Sequence, residues 1–381
     1  MSTQTFDAIV AGVGGMGAQT CLRLAEKGIR VLGLERFDIP HNMGSSHGVN
    51  RIIRLAYFEH PSYVPLLRRA YELWRDLERR AGEQLLYTTG SLDIGPSGSA
   101  VVENSCASCR LHDLAHEVLS ASEVTRRYPG YALPPNYKAV LQPDGGFVAS
   151  ERAIVAAVNL AMERGAVIRA REPLIDYTPL PGGGVRVRTT RATYEAGRLV
   201  LTSGGWIGEH VPHLKTNAIP ERQVLGWFQP KRPEQFRLGV FPVSNLKCDL
   251  GHFYQFPVWH VPGFKIGLYH HLRETGTADA ISREPTPTDE SILREGLARF
   301  FPAANGDCLA LRACLFTNTP DEHFVIDTLP GFPEVIVASP CSGHGYKFAS
   351  VVGEILANLA VAETPRFDLS LFAIGRFSAP A

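Results

Sequence analysis

A glycine pattern set between a strand and a helix constrains this chain most. Residues 6–11 form an apolar, β-favouring run, Gly12, Gly14 and Gly17 then spell G-x-G-x-x-G, GAQTCLRLAEKG continues with helical character, and IRVLGLE returns to strand. Glycines at such a turn let backbone approach a pyrophosphate, and the helix N-terminus stabilises its charge. Glu35 closes the second strand, where a carboxylate accepts hydrogen bonds from both ribose hydroxyls. A turn that needs small residues only for close packing explains the glycines but leaves the acid in register unexplained. A carboxylate there repels a 2′-phosphate, which disfavours NADP and leaves FAD and NAD.

The remaining chain extends this unit into two domains, since 381 residues exceed one ordinary core. Val64, Leu67, Tyr71, Trp74 and Leu77 form the apolar stripe of a helix over 61–81. Ser150 is placed to N-cap a helix ending at Gly165, ahead of the strand AVIRA. The hairpin-like GGVRVRTT and ATYEAGRLVLTSGG, and EVIVAS ahead of CSGHGYKFASVVGEILANLAVA, carry further nucleotide-domain signatures. The stretches between are richer in proline, aromatic and alternating patterns, which predicts mixed sheet. The expected fold class is α/β plus α+β. A Rossmann-type domain takes residues 1–86, 148–216 and 320–381, and a discontinuous substrate domain on a mixed β-sheet takes 87–147 and 217–319.

Charge and cysteine content exclude several function classes. Lys plus Arg and Asp plus Glu are 38 each, so no basic field exists to neutralise a nucleic-acid backbone. The start, MSTQTFDAIVAGVGG, lacks a basic n-region and no later apolar run reaches the length of a membrane span, so a soluble, cytoplasmic protein is expected. The seven cysteines (21, 106, 109, 248, 308, 314 and 341) are odd in number and unevenly spaced, as for reduced thiols. Cys106 and Cys109 form C-x-x-C without a second pair for zinc, and no metal site is expected.

After the glycine unit, ERFDIPHNMGSSHGVNRIIRLAYFEHPSYVPL resembles the corresponding segment of the monomeric sarcosine oxidase and N-methyltryptophan oxidase family, which are FAD-dependent amine oxidases. FYQFP with FKIGLYHH, RACLFTNTPDEHFVIDTLPG and CSGHGYKFASVVGE match in the same order, so the resemblance spans essentially the whole chain. It implies FAD rather than NAD, bound covalently from Cys314 to the flavin 8α carbon, where a thiolate is a competent nucleophile. It assigns Arg54 and Lys347 to the substrate carboxylate, one a guanidinium fork and the other a point charge. Lys265 is implied beside the flavin, where a positive charge stabilises superoxide as it forms. Arg51 and His47 are implied around the flavin ring. His270 and Tyr254 are implied beside the substrate, with the neighbouring His271 competing for the histidine's place. The cofactor set is then Gly12, Gly14, Gly17, Glu35, Arg36, Ser45, His47, Cys314, Gly343, His344, Gly345 and Lys347.

The implied reaction is oxidation of the carbon–nitrogen bond of a small secondary amino acid by a monomeric enzyme, with hydrolysis to amine and aldehyde and reduction of O2 to H2O2. Only the neutral amine has a lone pair to drive it, so activity is expected to rise with pH. The chain departs from the family at Phe316, where sarcosine oxidases carry tyrosine, at Pro340 and Cys341 before SGHG, and in PVWHVPG, where Trp259 is expected to reshape the entrance. These departures keep open a cyclic imino acid or an Amadori-type amino acid as substrate, an electron acceptor other than O2, and a non-catalytic dinucleotide-binding role.

Overall fold

The computed structural model describes residues 4–377. The opening unit forms as its periodicity predicts: strand Gln4–Ala11 (β1), helix Gly15–Glu26 (α1) and strand Val31–Leu34 (β2). β1 runs parallel to β2 on one side and to Thr193–Leu201 on the other, with Val167–Arg169 beyond β2 and Phe332–Ser339 beside Thr193–Leu201. Antiparallel strands Leu174–Pro179, Val185–Thr189 and Val325–Leu329 complete this eight-stranded sheet. Such parallel strands must be covered on both faces. On one face α1 and helices Ser150–Glu163 and Ala349–Ala360 bury Leu22, Ala157, Val351 and Ile355 in a common core.

The predicted stripe over 61–81 resolves into a 3-10 turn, Pro61–Tyr63, and helix Val64–Ala81, which ends on left-handed Gly82. Val64, Leu67, Trp74 and Leu77 are buried. Ser150 corrects the expected cap. It is the first helical residue, Ala149 holds the flanking position, and the Ser150 hydroxyl donates to Glu151 Oε2 at 2.6 Å instead of accepting a backbone N–H. Strand Gly146–Ala149 runs straight into the helix and leaves no residue between them to act as a side-chain cap.

A second eight-stranded sheet draws on Ser91–Pro96, Glu117–Ser120 and Tyr137–Gln142, and then on Ile219–Phe228, Val243–Cys248, Gly251–Phe256, Phe264–Leu268 and Cys308–Asn318. It is mixed: Val243–Cys248 pairs parallel with Ser91–Pro96, and the other neighbours are antiparallel. Side chains alternate between its faces. Val224, Phe253, Ile266 and Ala313 pack on Leu293 and Leu297 of helix Pro287–Phe300, whereas Leu225, Trp227, Tyr254, Phe256 and Cys314 look the other way. A three-stranded sheet of Asn50–Ile53, Gly146–Ala149 and Leu86–Thr88 carries Arg51 toward that second face. No helix among the described residues is long and apolar enough to cross a membrane.

Candidate active site

The glycine turn is shaped for a close backbone approach. Gly12 has φ +99°, and a Cβ on Gly17 would sit 1.8 Å from the Gly12 carbonyl oxygen, so no larger residue fits at Gly17 without moving the turn. Glu35 is 4% exposed and accepts from the Val13 amide (2.8 Å) and the Phe37 amide (3.0 Å). It therefore holds the glycine loop to the end of β2 as well as lining the cleft that starts there. From Glu35, Arg36 and Trp206 this cleft passes Gly12, Gly14, Ser45 and Ser46 and reaches Arg51, Phe316, Cys341, Gly343 and Gly345. Arg36 closes the near end, donating to Asp279 at 2.8 Å with its guanidinium over the Trp206 ring. The Ser45 and Ser203 hydroxyls are buried and have no partner among the described residues. An elongated cleft with a glycine turn midway, an acid at the ribose position and orphaned hydroxyls along its wall fits a dinucleotide.

At its far end a smaller cavity opens, lined by Arg51, Ile52, Tyr254, Phe256, Tyr269, Cys314, Phe316, Gly343, His344, Tyr346 and Lys347. Four of these residues, Arg51, Phe316, Gly343 and Tyr346, line both spaces. Strand periodicity explains the lining: Tyr254 with Phe256, and Cys314 with Phe316, are alternate residues of two strands facing the same way. Cys314 is 2% exposed; burial pushes its thiol up, and the charges of Arg51 and Lys265 oppose that rise. Arg51 spans the junction of the two spaces, donating to the Ser45 carbonyl at 2.7 Å and the Asn50 carbonyl at 2.9 Å.

His344 is fixed as a neutral ring. Nε2 donates to the Glu322 carbonyl (2.9 Å), so Nδ1 accepts from the Tyr57 hydroxyl (2.6 Å), and burial depresses the pKa to about 4. Lys347 donates to the His344 carbonyl at 2.7 Å and has N–H capacity left toward the cavity. Burial, reinforced by Arg54, lowers its pKa to about 7.

Several expected residues sit differently. Arg54 is near Lys347 but lines neither space, because its fork is taken by Glu59, with two contacts of 2.8 Å. Lys265 is 1% exposed and also lies behind the walls, donating to Gly48 O, Asn50 O and Asn50 Oδ1 at 2.7–2.8 Å. Burial pushes its pKa well down, but three acceptors need three N–H groups and so favour the ammonium form. His47 borders a separate cavity with His41, Glu151 and Arg312, and burial depresses it to about 3. Trp259 lines neither space and packs at a tilt on Tyr87 and Phe147, with ring centroids at 5.1 Å.

His270 is the clearest correction. It does not line the smaller cavity; the preceding Tyr269 does, stacked on His252 at 4.7 Å. Strand Phe264–Leu268 ends just before Tyr269, and the chain turns there through left-handed His270 (φ +56°), a turn that the sequence pattern of FKIGLYHH does not signal. His270 instead bridges Glu221 (3.1 Å) and Glu322 (3.3 Å), and these hydrogen bonds raise its pKa to about 9. His271 donates to Asp289, at 2.8 Å, in the core. Because the folded pKa of His270 is raised, its stabilisation is full below about pH 6.5 and is lost as pH rises through about 9. Wild-type protein should lose more of its melting temperature between about pH 7 and 10 than His270→Gln; equal slopes would remove the ion triad from the account.

Comparison with known proteins agrees with this geometry. The profile of the FAD dependent oxidoreductase family matches residues 7–359. The chain is 38% identical to the monomeric sarcosine oxidase of Bacillus sp. (strain NS-129), covering 99% of this chain and 98% of that protein. It is 34% identical to the N-methyl-L-tryptophan oxidase of Salmonella heidelberg (strain SL476), over 98% of this chain and 99% of that one. Among solved structures it is similar to the open form of NikD, an unusual amino acid oxidase essential for nikkomycin biosynthesis, with TM-score 0.85, 25% identity, and 97% of this chain and 98% of that one covered. A Rossmann-type sheet with a glycine turn, a mixed second sheet closing over its cleft, and full-length likeness to these oxidases place the chain in the FAD-dependent oxidoreductase family, with the monomeric sarcosine and N-methyltryptophan oxidases as relatives.

Proposed function

We propose that this protein is a cytoplasmic, monomeric oxidase of small N-methyl amino acids such as sarcosine, releasing amine, aldehyde and H2O2. The observation that carries the reading is the small aromatic cavity with Lys347 and Arg51 in its wall, joined to the dinucleotide cleft beside Cys314. Bound FAD supplies the two-electron oxidation of the carbon–nitrogen bond and delivers the electrons to O2. Cys314 is the residue that would carry a covalent bond to the flavin, Gly12, Gly14, Glu35, Arg36, Ser45, Gly343 and Gly345 line the cleft that would hold the rest of FAD, and Gly17 lets the turn close behind it. The segments 1–86, 148–216 and 320–381 form the FAD-binding domain in this reading, and 87–147 with 217–319 form the substrate domain.

The protein's own side chains bind, orient and exclude water. Lys347 holds the substrate carboxylate, and the rings of Tyr254, Phe256, Tyr269 and Phe316 wall the N-methyl end and keep the neutral amine oriented for attack. Arg51 supplies a fixed positive charge where the two spaces meet, and the Lys265 ammonium supplies a second from behind the loop.

A panel of sarcosine, N-methyl aromatic amino acids, proline, pipecolate and a fructosyl amino acid, read by peroxide release, tests the reading; turnover confined to the last three would sink it. Two opposite pH responses are expected from the preferred substrate. The rate constant kcat rises with pH as bound amine loses its proton, whereas KM rises above about pH 7 as Lys347 loses the charge that holds the carboxylate. A KM independent of pH between about 6 and 10 would contradict the lysine's part.

A further inference from the structure

One ring stands between the aromatic wall of the smaller cavity and the loop that carries Lys347. Tyr269 lies edge-on to Tyr254 at 5.2 Å and tilted to Phe316 at 5.5 Å, and its hydroxyl donates to the Gly343 carbonyl at 3.4 Å. The fit is close: a Cβ on Gly343 would stand 2.6 Å from the Phe316 ring and 2.9 Å from the Tyr269 ring. Gly343 precedes His344, whose carbonyl holds Lys347. Tyr269 is also held from behind. Its ring stacks on His252 with the planes 15° apart, and His252 packs in turn on Phe58 at 5.5 Å. The backbone is pinned by the next residue, His270, which is left-handed and bound to both Glu221 and Glu322. His252 does not line the cavity, and its Nε2 is buried without a partner among the described residues. Burial depresses the pKa of that ring to about 3, so it is neutral.

We propose that Tyr269 is the specificity-determining residue of the cavity: its ring fills the place that a side chain on the substrate's α-carbon would need, and so confines the enzyme to substrates of the N-methylglycine type. This rests on the amino-acid oxidase reading above and narrows it. A carboxylate held by Lys347 sets the α-carbon one bond farther from the Gly343–Lys347 loop, and the rings that touch this loop at Gly343 are Tyr269 and Phe316. Phe316 lines the dinucleotide cleft as well, whereas Tyr269 belongs to the smaller cavity alone. A ring stacked from behind and pinned at its backbone rejects a larger substrate by steric clash and does not swing aside for it. Behind it lie the His252 ring with one free nitrogen and the Phe58 ring, a flat-walled space that an aromatic side chain would enter if the Tyr269 ring were removed.

The test titrates the FAD-loaded protein, followed by flavin absorbance, with acetate and with 3-phenylpropanoate, the carboxylate skeletons of glycine and phenylalanine without their amines. The affinity for 3-phenylpropanoate relative to acetate should rise about thirtyfold in Tyr269→Ala and stay within about threefold of wild type in Tyr269→Phe, which keeps the ring. In turnover, kcat/KM for N-methyl-L-phenylalanine relative to sarcosine should rise about a hundredfold in Tyr269→Ala, chiefly through KM. A ring with only a structural part gives another pattern: both probes weaken together and their ratio keeps its wild-type value, which overturns the inference. A wild-type enzyme that oxidises N-methyl-L-phenylalanine as well as sarcosine also overturns it. Should Tyr269→Ala fail to hold FAD, Tyr269→Leu shortens the wall while keeping apolar contact with His252, and it must raise the probe ratio at least about fivefold. The probe ratio reads the wall whether or not any amine is oxidised. Absence of turnover on the whole panel defeats the proposed function, and an unshifted ratio in an enzyme that oxidises sarcosine defeats only the assignment of Tyr269.

Discussion

Cys314→Ala is expected to abolish retention of flavin by the acid-denatured protein while leaving folded protein yellow. Wild-type polypeptide should carry the mass of one FAD after denaturation, and the variant should carry none, a complete loss. The local structure supports a specific thiol. Cys314 is buried on the cavity face of strand Cys308–Asn318, with the positive charges of Arg51 and Lys265 opposing the rise that burial imposes on its pKa. Cys341 provides the control, since it lines the cleft where Cys314 lines the adjoining cavity and lies on a different segment, and burial pushes its thiol up to about 11. Cys341→Ala should keep the covalent flavin. The glycine turn and Glu35 are untouched in either variant, so FAD should still bind non-covalently to Cys314→Ala. Flavin that stays attached in Cys314→Ala, or washes out of the denatured wild type, contradicts the linkage.

Lys265→Met is expected to slow reoxidation of the reduced enzyme by O2 about 10²–10³-fold while changing the rate of anaerobic reduction by amino acid less than about tenfold. The three hydrogen bonds of Lys265 to Gly48 and Asn50 place its ammonium under the loop that leads into strand Asn50–Ile53 and Arg51. Its charge acts through that loop on any anion forming above it, in a low-dielectric surrounding made by Phe256 at 4.1 Å and Trp227 at 5.5 Å. A merely structural lysine would give another pattern: the loop would shift, and both half-reactions would slow together. Stopped-flow traces of each half-reaction separate these outcomes.

The nucleotide half of the molecule was legible because its signals are local. The glycine turn, the acid at the end of β2 and the apolar stripe of helix Val64–Ala81 each depend on neighbours a few residues away, and each formed where its pattern falls. The substrate half was legible in outline and less so in detail. His270 and Tyr269 differ by one position, and the left-handed turn at His270 (φ +56°), just past the end of strand Phe264–Leu268, sends the histidine to the Glu221–Glu322 side while Tyr269 lines the cavity. The resemblance sets Arg54 at the substrate carboxylate, whereas in the structure its guanidinium pairs with Glu59 and lies 3.7 Å from Asp93, which a strand of the second sheet brings in. Trp259 reads as an entrance residue until its packing on Tyr87 and Phe147 is seen. These misses share a cause: they concern which way a side chain faces after distant segments pair, and single-sequence patterns carry little of that information.

The most direct test of the whole account is anaerobic mixing of the purified yellow protein with sarcosine, followed by admission of air and assay of peroxide. The account predicts bleaching of the flavin absorbance by sarcosine, recovery of the colour in air, and one H2O2 formed for each flavin reoxidised. A flavin that sarcosine and other N-methyl amino acids leave oxidised, in protein that carries its full complement of FAD, would contradict it.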